Sequence, residues 1–222
     1  MTAAAGAPLH GSDSVGLLDA DPAAPLQGLL DRRRSIRRLR DVDLAGATVA
    51  RLTEAVRLTP AAYNLPPWHV VLVRERRAQL WAVVEAAMRA SLEGDRLARN
   101  LDRLAGLRSG AGLLLVYEDA TVQPRLRDAW RITDEQATAF VQQGLGMVQL
   151  ALWLALTEEG LVASLQHWDW LVPDGFSALV GLPADRFALA VAIPFGAPDE
   201  APRPTDRPEG ADVVSRERYG RT

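Results

Sequence analysis

Residues 134–170 read DEQATAFVQQGLGMVQLALWLALTEEGLVASLQHWDW, and the reading of this stretch decides the fold. Thr133 just before it is an N-cap residue type, Asp134 and Glu135 follow, and Gln136 sits three residues on, the spacing of a capping box that opens a helix. Ala137, Phe140, Val141, Leu145 and Val148 mark one helical face, and Leu150 to Leu156 is apolar on every side, which predicts a helix buried all round. That uninterrupted run is far short of the ~18 to 20 apolar residues that cross a bilayer, and Gln149 and Glu158 flank it. A core helix is expected, with no membrane span. Gly160 stops it at the C-cap, and Leu161 to Ala163 read as a short buried strand. The polar and aromatic cluster Ser164-Leu165-Gln166-His167-Trp168 then lies at the mouth of that strand, where chemistry is expected.

Working outward, 222 residues that are 48% hydrophobic and 24% charged suit one globular domain with a sizeable core. The chain has no cysteine, which excludes disulfides, thiolate metal sites and a cysteine nucleophile. His10, His69 and His167 are too far apart in sequence for a local ligand spacing, so no structural metal is expected. A formal charge of −3 argues against general nucleic-acid binding. Every basic residue is arginine, so any anion site must use guanidinium groups or backbone amides. Residues 1–24 lack a basic segment followed by an apolar run, which predicts a flexible lead-in and a soluble cytoplasmic protein.

From Leu26 a short amphipathic helix runs into six arginines between Arg32 and Arg40. The ordinary reading of such a run is a solvated basic face. The alternative is that the Arg-Arg-Ser-x-Arg spacing of residues 33–37 gathers guanidinium groups and a hydroxyl around one phosphate. Val42 to Leu58 reads as a second helix, Ala61 to Pro67 as a loop, and Trp68 to Val73 as a β-branched strand. Asn64 in that loop is of a type that usually forms turns. Arg76 to Leu92 is a third helix, followed by a polar, arginine-containing segment to Ser109 expected to be helical and mobile. Ala111 to Tyr117 is a strand buried on both faces. Glu118 to Arg131 connects it to the central helix through a short helix. Pro173 to Val180 is a short helix closed by Gly181. Phe187 to Ile193 is a last strand, ended by Pro194-Phe195-Gly196. The Pro-rich charged tail holds Val213 and Val214, which could anchor it as an edge strand. The whole predicts strands interleaved with helices around one central helix.

Familiar motifs are missing. Gly144-Leu145-Gly146 has Gln149 in place of a third glycine and no preceding strand, so it is no dinucleotide fingerprint; its glycines suit close approach of another helix or chain. No Walker, HExxH or GxSxG sequence occurs, and Ser164, His167 and Asp169 lack a nucleophile turn.

Arg33-Arg34-Ser35-Ile36-Arg37 resembles the Arg-x-Ser-x-Arg/Lys phosphate motif of the nitroreductase superfamily, and Thr59 to Trp68 (TPAAYNLPPW) resembles its Pro-Ser-x-x-Asn-x-Gln-Pro-Trp loop. Glu118 to Val122, the helix from Gln142 to Glu159, Leu165-Gln166-His167-Trp168 and Pro194-Phe195-Gly196 are similar to the fatty-acid-repression-mutant branch, whose corresponding turn is Leu-Gln-His-Tyr. The similarity spans Leu26 to Val214. It implies an α+β nitroreductase-like fold, a central mixed or antiparallel sheet with flanking helices, and a homodimer with the long helix at its contact. It further implies FMN at the subunit interface, reduced by NADPH or NADH and passing a hydride from N5 to a nitroaromatic, quinone or related small acceptor.

By the same resemblance, Arg33 and Ser35, with Arg34 adjacent, bind the FMN phosphate, aided by Arg207 or else Arg203 from the tail. Arg37 reaches the N1/O2 edge of the flavin, Asn64 its pyrimidine edge, and backbone amides of Leu165 and Gln166 face N5. His167, Trp168 and Trp170 are placed near substrate, the tryptophans narrowing the pocket or stacking on a planar acceptor; for His167 a buried, hydrogen-bonded core position is the equal alternative. No side chain is required as acid or base. The implied organisation is a lead-in over residues 1–24, the FMN-binding domain over 25–198 and a tail over 199–222 packing on the domain or the partner. Leu65 and Pro66 depart from the family's polar Ser-Gln, and Ala61-Ala62 from its serine. Those departures leave two other functions open, an FMN-dependent dehydrogenase or tailoring enzyme of a biosynthetic pathway and a flavin-free binding or regulatory dimer.

Overall fold

The computed structural model describes residues 25–208; the expected lead-in and the Val213-Val214 pair lie outside them. Helix α1 spans Pro25–Arg32, and a two-residue strand β1, Leu39–Arg40, follows. Helix α2 is Gly46–Leu58, shorter than the expected Val42 to Leu58 because its first turn opens at Ala45, whose carbonyl accepts from Thr48 and Val49. A 3-10 turn, Ala62–Asn64, leads to strand β2, Trp68–Val73. Helices α3, Arg77–Ser91, and α4, Gly94–Arg108, form a packed pair. The segment before Ser109 is thus an ordered helix, held by Leu104 and Leu107 at 1% exposure.

Strand β3, Gly112–Asp119, is followed by α5, Val122–Trp130, and α6, Asp134–Glu158. The capping box is present as expected: Gln136 N–H donates to Thr133 Oγ1 and Thr133 N–H donates to Gln136 Oε1. Strand β4, Val162–Ala163, helix α7, Ser177–Val180, and strand β5, Phe187–Pro198, complete the order. The sheet runs β1-β5-β3-β2, with β4 also on β5, and every strand pair is antiparallel.

Pro194 does not end β5. It lacks a donor, but its carbonyl still accepts from Ser164 N–H at 3.4 Å, and the strand runs four residues further to carry β1 and β4 on its end. Gly196 permits this junction, since a Cβ there would meet the Arg40 carbonyl oxygen at 2.4 Å.

Alternation along β3 divides the core. Leu113, Leu115 and Tyr117 face α3, α4 and the 168–176 turn, whereas Leu114 and Val116 face α2, α5 and α6. The expectation that α6 is buried all round does not hold within one chain. Ala137, Val141, Leu145, Val148, Leu152 and Leu156 form a buried row at helical spacing, but Met147 and Leu150 on the other side are 39% and 44% exposed. By length and composition alone α6 is apolar enough to cross a membrane; here its inner row is half of the protein core. Of the two glycines in α6, Gly144 admits Pro67, while Gly146 faces open space.

Candidate active site

The N-terminal motif is laid on the mouth of β4. Ile36 N–H donates to the Ala163 carbonyl at 3.2 Å, and Ser35 bridges Ala163 as an isolated parallel pair. Ile36 is 3% exposed, so alternation of an extended chain turns Ser35 and Arg37 to the opposite side. The tail then folds back over the motif. Glu200 accepts from the backbone N–H groups of Arg37 at 2.7 Å and Arg38 at 3.1 Å, and Asp199 N–H donates to Arg38 O at 2.9 Å.

Two arginine groups result. In the first, the Arg33 guanidinium lies 4.2 Å over the Trp153 ring of α6, with Arg34 and Arg207 beside it. Burial, and then the charges of Arg34 and Arg207, push the Arg33 pKa below the usual guanidinium value. Asp31 is the sole carboxylate paired to this group among the described residues, 3.5 Å from Arg34 and 3.9 Å from Arg207. Three cations with a single exposed carboxylate, paired to Arg34 and Arg207, leave net positive charge beside the exposed Ser35. In the second group, burial lowers the Arg37 pKa first, Arg103 and Arg203 lower it further, and Glu200 opposes them. Arg37 Nε is buried with no hydrogen-bond partner in the protein. The tail arginines are therefore divided: Arg207 stands with Arg33, and Arg203 with Arg37.

The Gln166 amide cannot serve as expected, because its N–H donates to Ala192 O at 2.8 Å and its carbonyl accepts from Ala192 N–H at 2.9 Å. The Gln166 side chain is also engaged, donating to Ser164 Oγ at 3.0 Å. Leu165 N–H has no acceptor among the described residues, so of these two amides it is the one left free to donate.

Beside the turn is a cavity of about 260 Å³, walled by α4 on one side and by residues 165–171 on the other. His167 and Trp170 are exposed at it, so His167 is not the buried core histidine of the alternative reading. Trp168 also lines it but is 5% exposed, held edge-on by Trp81 at 5.7 Å and Phe176 at 6.5 Å. Its ring is occupied as core, which leaves Trp170, 58% exposed, as the indole available for stacking.

Asn64 is not brought to these groups within one chain. It is exposed, at φ 57°, beside Tyr63, which stacks on Trp130 at 4.2 Å and lies edge-on to Phe140 at 5.9 Å. Phe140 and Trp153 both lie on α6, and a rise of 1.5 Å per residue separates them by roughly 20 Å. Sequence reasoning missed Trp153, hidden in a uniformly apolar run, and also Arg96, Asn100 and Arg103, whose i, i+4, i+7 spacing was legible once α4 was read as a helix. Among the described residues no three histidine or carboxylate side chains cluster as a metal site would require.

The Nitroreductase family matches residues 30–197. A putative NAD(P)H nitroreductase, Spy0809, from Streptococcus pyogenes is 24% identical over 199 residues, covering 83% of this chain and 96% of the relative. An NADH dehydrogenase from Thermus thermophilus is 25% identical over 206 residues, covering 87% and 94%. Among solved structures, nitroreductase CinD from Lactococcus lactis, in complex with chloramphenicol, superposes with a TM-score of 0.77 at 24% identity, over 87% of this chain and all of the other. The chain belongs to the nitroreductase family.

Proposed function

We propose that this protein is an FMN-dependent oxidoreductase that moves a hydride from NAD(P)H to a nitroaromatic, quinone or related planar acceptor. The observation that carries the reading is the arginine cradle: Arg34 and Arg207 share one exposed carboxylate, Arg33 beside them pairs with none among the described residues, and Arg37 buries an Nε without a partner. A phosphate and a polar ring edge answer both deficits. When bound, FMN supplies a two-electron carrier whose N5 takes and gives the hydride.

The chain's residues bind and orient. Arg33, Arg34, Ser35 and Arg207 hold the phosphate, and each charge-assisted hydrogen bond contributes about 1.5–3 kcal/mol. Arg37 donates to the ring edge and favours negative charge there. Leu165 N–H is the backbone donor toward the reactive edge. Trp170 and His167 border the space left for the acceptor. For a nitro compound the balance is R–NO₂ + NAD(P)H + H⁺ → R–NO + NAD(P)⁺ + H₂O, with solvent supplying the proton. L. lactis CinD, one of the similar structures, has also been solved with 4-nitrophenol and with nicotinic acid, which supports planar aromatic ligands in this fold.

The site is completed by a second copy. Met147 and Leu150 on the open face of α6 form the contact, and Asn64, out of reach in one chain, is delivered by the partner. Residues 199–208 of the tail pack over the motif of their own domain, residues 25–198, and the dimer works in the cytoplasm. The Leu165-Gln166-His167-Trp168 turn supports the fatty-acid-repression-mutant branch. The test is an absorption spectrum followed by anaerobic addition of NADPH or NADH. Flavin bands that bleach with either donor are expected. A colourless protein that stays so in excess FMN rejects the reading, and a bound flavin that neither donor reduces points to the oxidative dehydrogenase instead.

A further inference from the structure

The cavity beside residues 165–171 has a one-sided charge. Arg96, Asn100 and Arg103 lie at i, i+4, i+7 on α4, so all three line it from one helix face. Among the described residues no aspartate or glutamate lines it. Neither Arg96 nor Arg103 is paired to a carboxylate among the described residues, although neighbouring Arg38 is, with Asp102 at 2.9 Å. Asn100 Nδ2 bonds back to Arg96 O at 2.8 Å, which fixes the amide against its own helix. Arg103 also bears on Arg37, whose pKa it helps to lower, so the wall lies within electrostatic reach of the proposed flavin cradle. Opposite the wall stand His167 and the exposed Trp170, an aromatic rim suited to a flat molecule.

We propose that this α4 wall selects ligands that carry an anionic substituent on a planar body, read by Arg96 and Arg103. The inference rests on the flavoenzyme reading for its reaction but not for its binding chemistry. Two sources supply such an anion: a carboxylate on an aromatic acceptor, or the 2′-phosphate that distinguishes NADPH from NADH. Guanidinium groups lining a small cavity favour either over the neutral counterpart.

The experiment compares wild type with Arg96→Gln and Arg103→Gln, and with Arg99→Gln, an exposed α4 position outside the cavity, as control. The KM for 4-nitrobenzoate is measured against that for 4-nitrobenzamide, and the KM for NADPH against that for NADH, with FMN content recorded for each protein. Loss of one charged hydrogen bond is expected to raise one of these ratios by about tenfold in both cavity variants. A rise in the first ratio assigns the anion to the acceptor, and a rise in the second assigns it to the donor. If both ratios stay within twofold of wild type, or move equally in Arg99→Gln, the wall does not read charge and the proposal falls. Should the wild type prove to hold no FMN, the flavin reading falls by itself. The wall is then tested by calorimetric titration with benzoate and benzamide, where equal affinity overturns it and a preference for benzoate lost in either variant supports it.

Discussion

The Arg33 guanidinium lies 4.2 Å over the Trp153 ring, so a residue of the central helix props the first arginine of the N-terminal motif. Nothing else in the described chain pairs with Arg33 by salt bridge, which makes the indole its principal positioning contact. A cation over an aromatic face contributes about 0.5–2 kcal/mol, more as water is excluded.

Trp153→Leu is therefore expected to weaken FMN binding by roughly 2- to 30-fold, the range that such an energy implies. Trp153→Phe keeps a π face and should lose less. The measurement is quenching of flavin fluorescence on titration with apoprotein. Equal FMN affinity in the leucine and phenylalanine variants would remove the propping role.

Arg33→Gln and Arg207→Gln should act on the phosphate alone. Each is expected to weaken FMN binding by roughly 10- to 100-fold, one charged hydrogen bond, while leaving riboflavin affinity nearly unchanged. Raising salt from low to physiological strength should narrow the wild-type preference for FMN over riboflavin. If riboflavin and FMN lose affinity in parallel, the arginines support the fold of the site and not the phosphate.

Asp119 at the end of β3 ties the start of β5 in place. Arg186 donates to it at 2.7 and 3.1 Å, Thr121 adds its N–H and hydroxyl, and Arg186 foremost holds the carboxyl down at about 2. A folded-state pKa below the unfolded one, near 3.8, adds stability that is fully present above pH ~4 and is lost as pH falls toward ~2. Because Arg186 is half exposed, solvent screening reduces the gain to about 1–2 kcal/mol. Asp119→Asn should cost that much at pH 7 in urea unfolding. Its deficit should shrink toward zero near pH 2. A deficit independent of pH would show that hydrogen-bond geometry, and not ionisation, is what Asp119 contributes.

Leu150→Arg tests the second copy. Leu150 is 44% exposed on the open side of α6, so in an isolated chain a charge there costs little. In a dimer contact it would bury an unpaired cation. The expected result is a monomer in sedimentation with secondary structure intact and FMN lost with the partner's Asn64. A variant that sediments as the wild type and keeps its flavin counts against the α6 contact.

Local signals carried much of the fold. The Thr133/Gln136 capping box placed the start of α6 at Asp134, and a β-branched run bounded Trp68–Val73, because caps and strand propensity are set by neighbours in the chain. β5 was misread where local and tertiary rules conflict. Pro194 forbids one ladder donor, but pairing with β1 and β4 carries the strand on. The order of α4 is not legible in its sequence, because its many arginines mask Leu104 and Leu107, the two leucines that bury it.

The site shows the same division. The arginines of residues 33–37, the turn at 165–167 and a basic tail were all visible as residue types at suitable spacing. Three things were decided by packing. The Gln166 amide is spent on Ala192, since the turn is pinned to β5 as an isolated bridge. The Trp168 ring is consumed by Trp81 and Phe176, while Trp170 stays outside. Arg207 goes to Arg33 and Arg203 to Arg37, because the tail returns antiparallel along β1. The sequence by itself determined which groups the protein has and which segments are helix or strand, since those follow from short-range sterics and hydrogen bonding. Only the tertiary structure decided which donors and rings remain uncommitted, because that depends on contacts between separate elements of the fold, such as Gln166 with Ala192, Trp168 with Trp81 and Arg207 with Arg33.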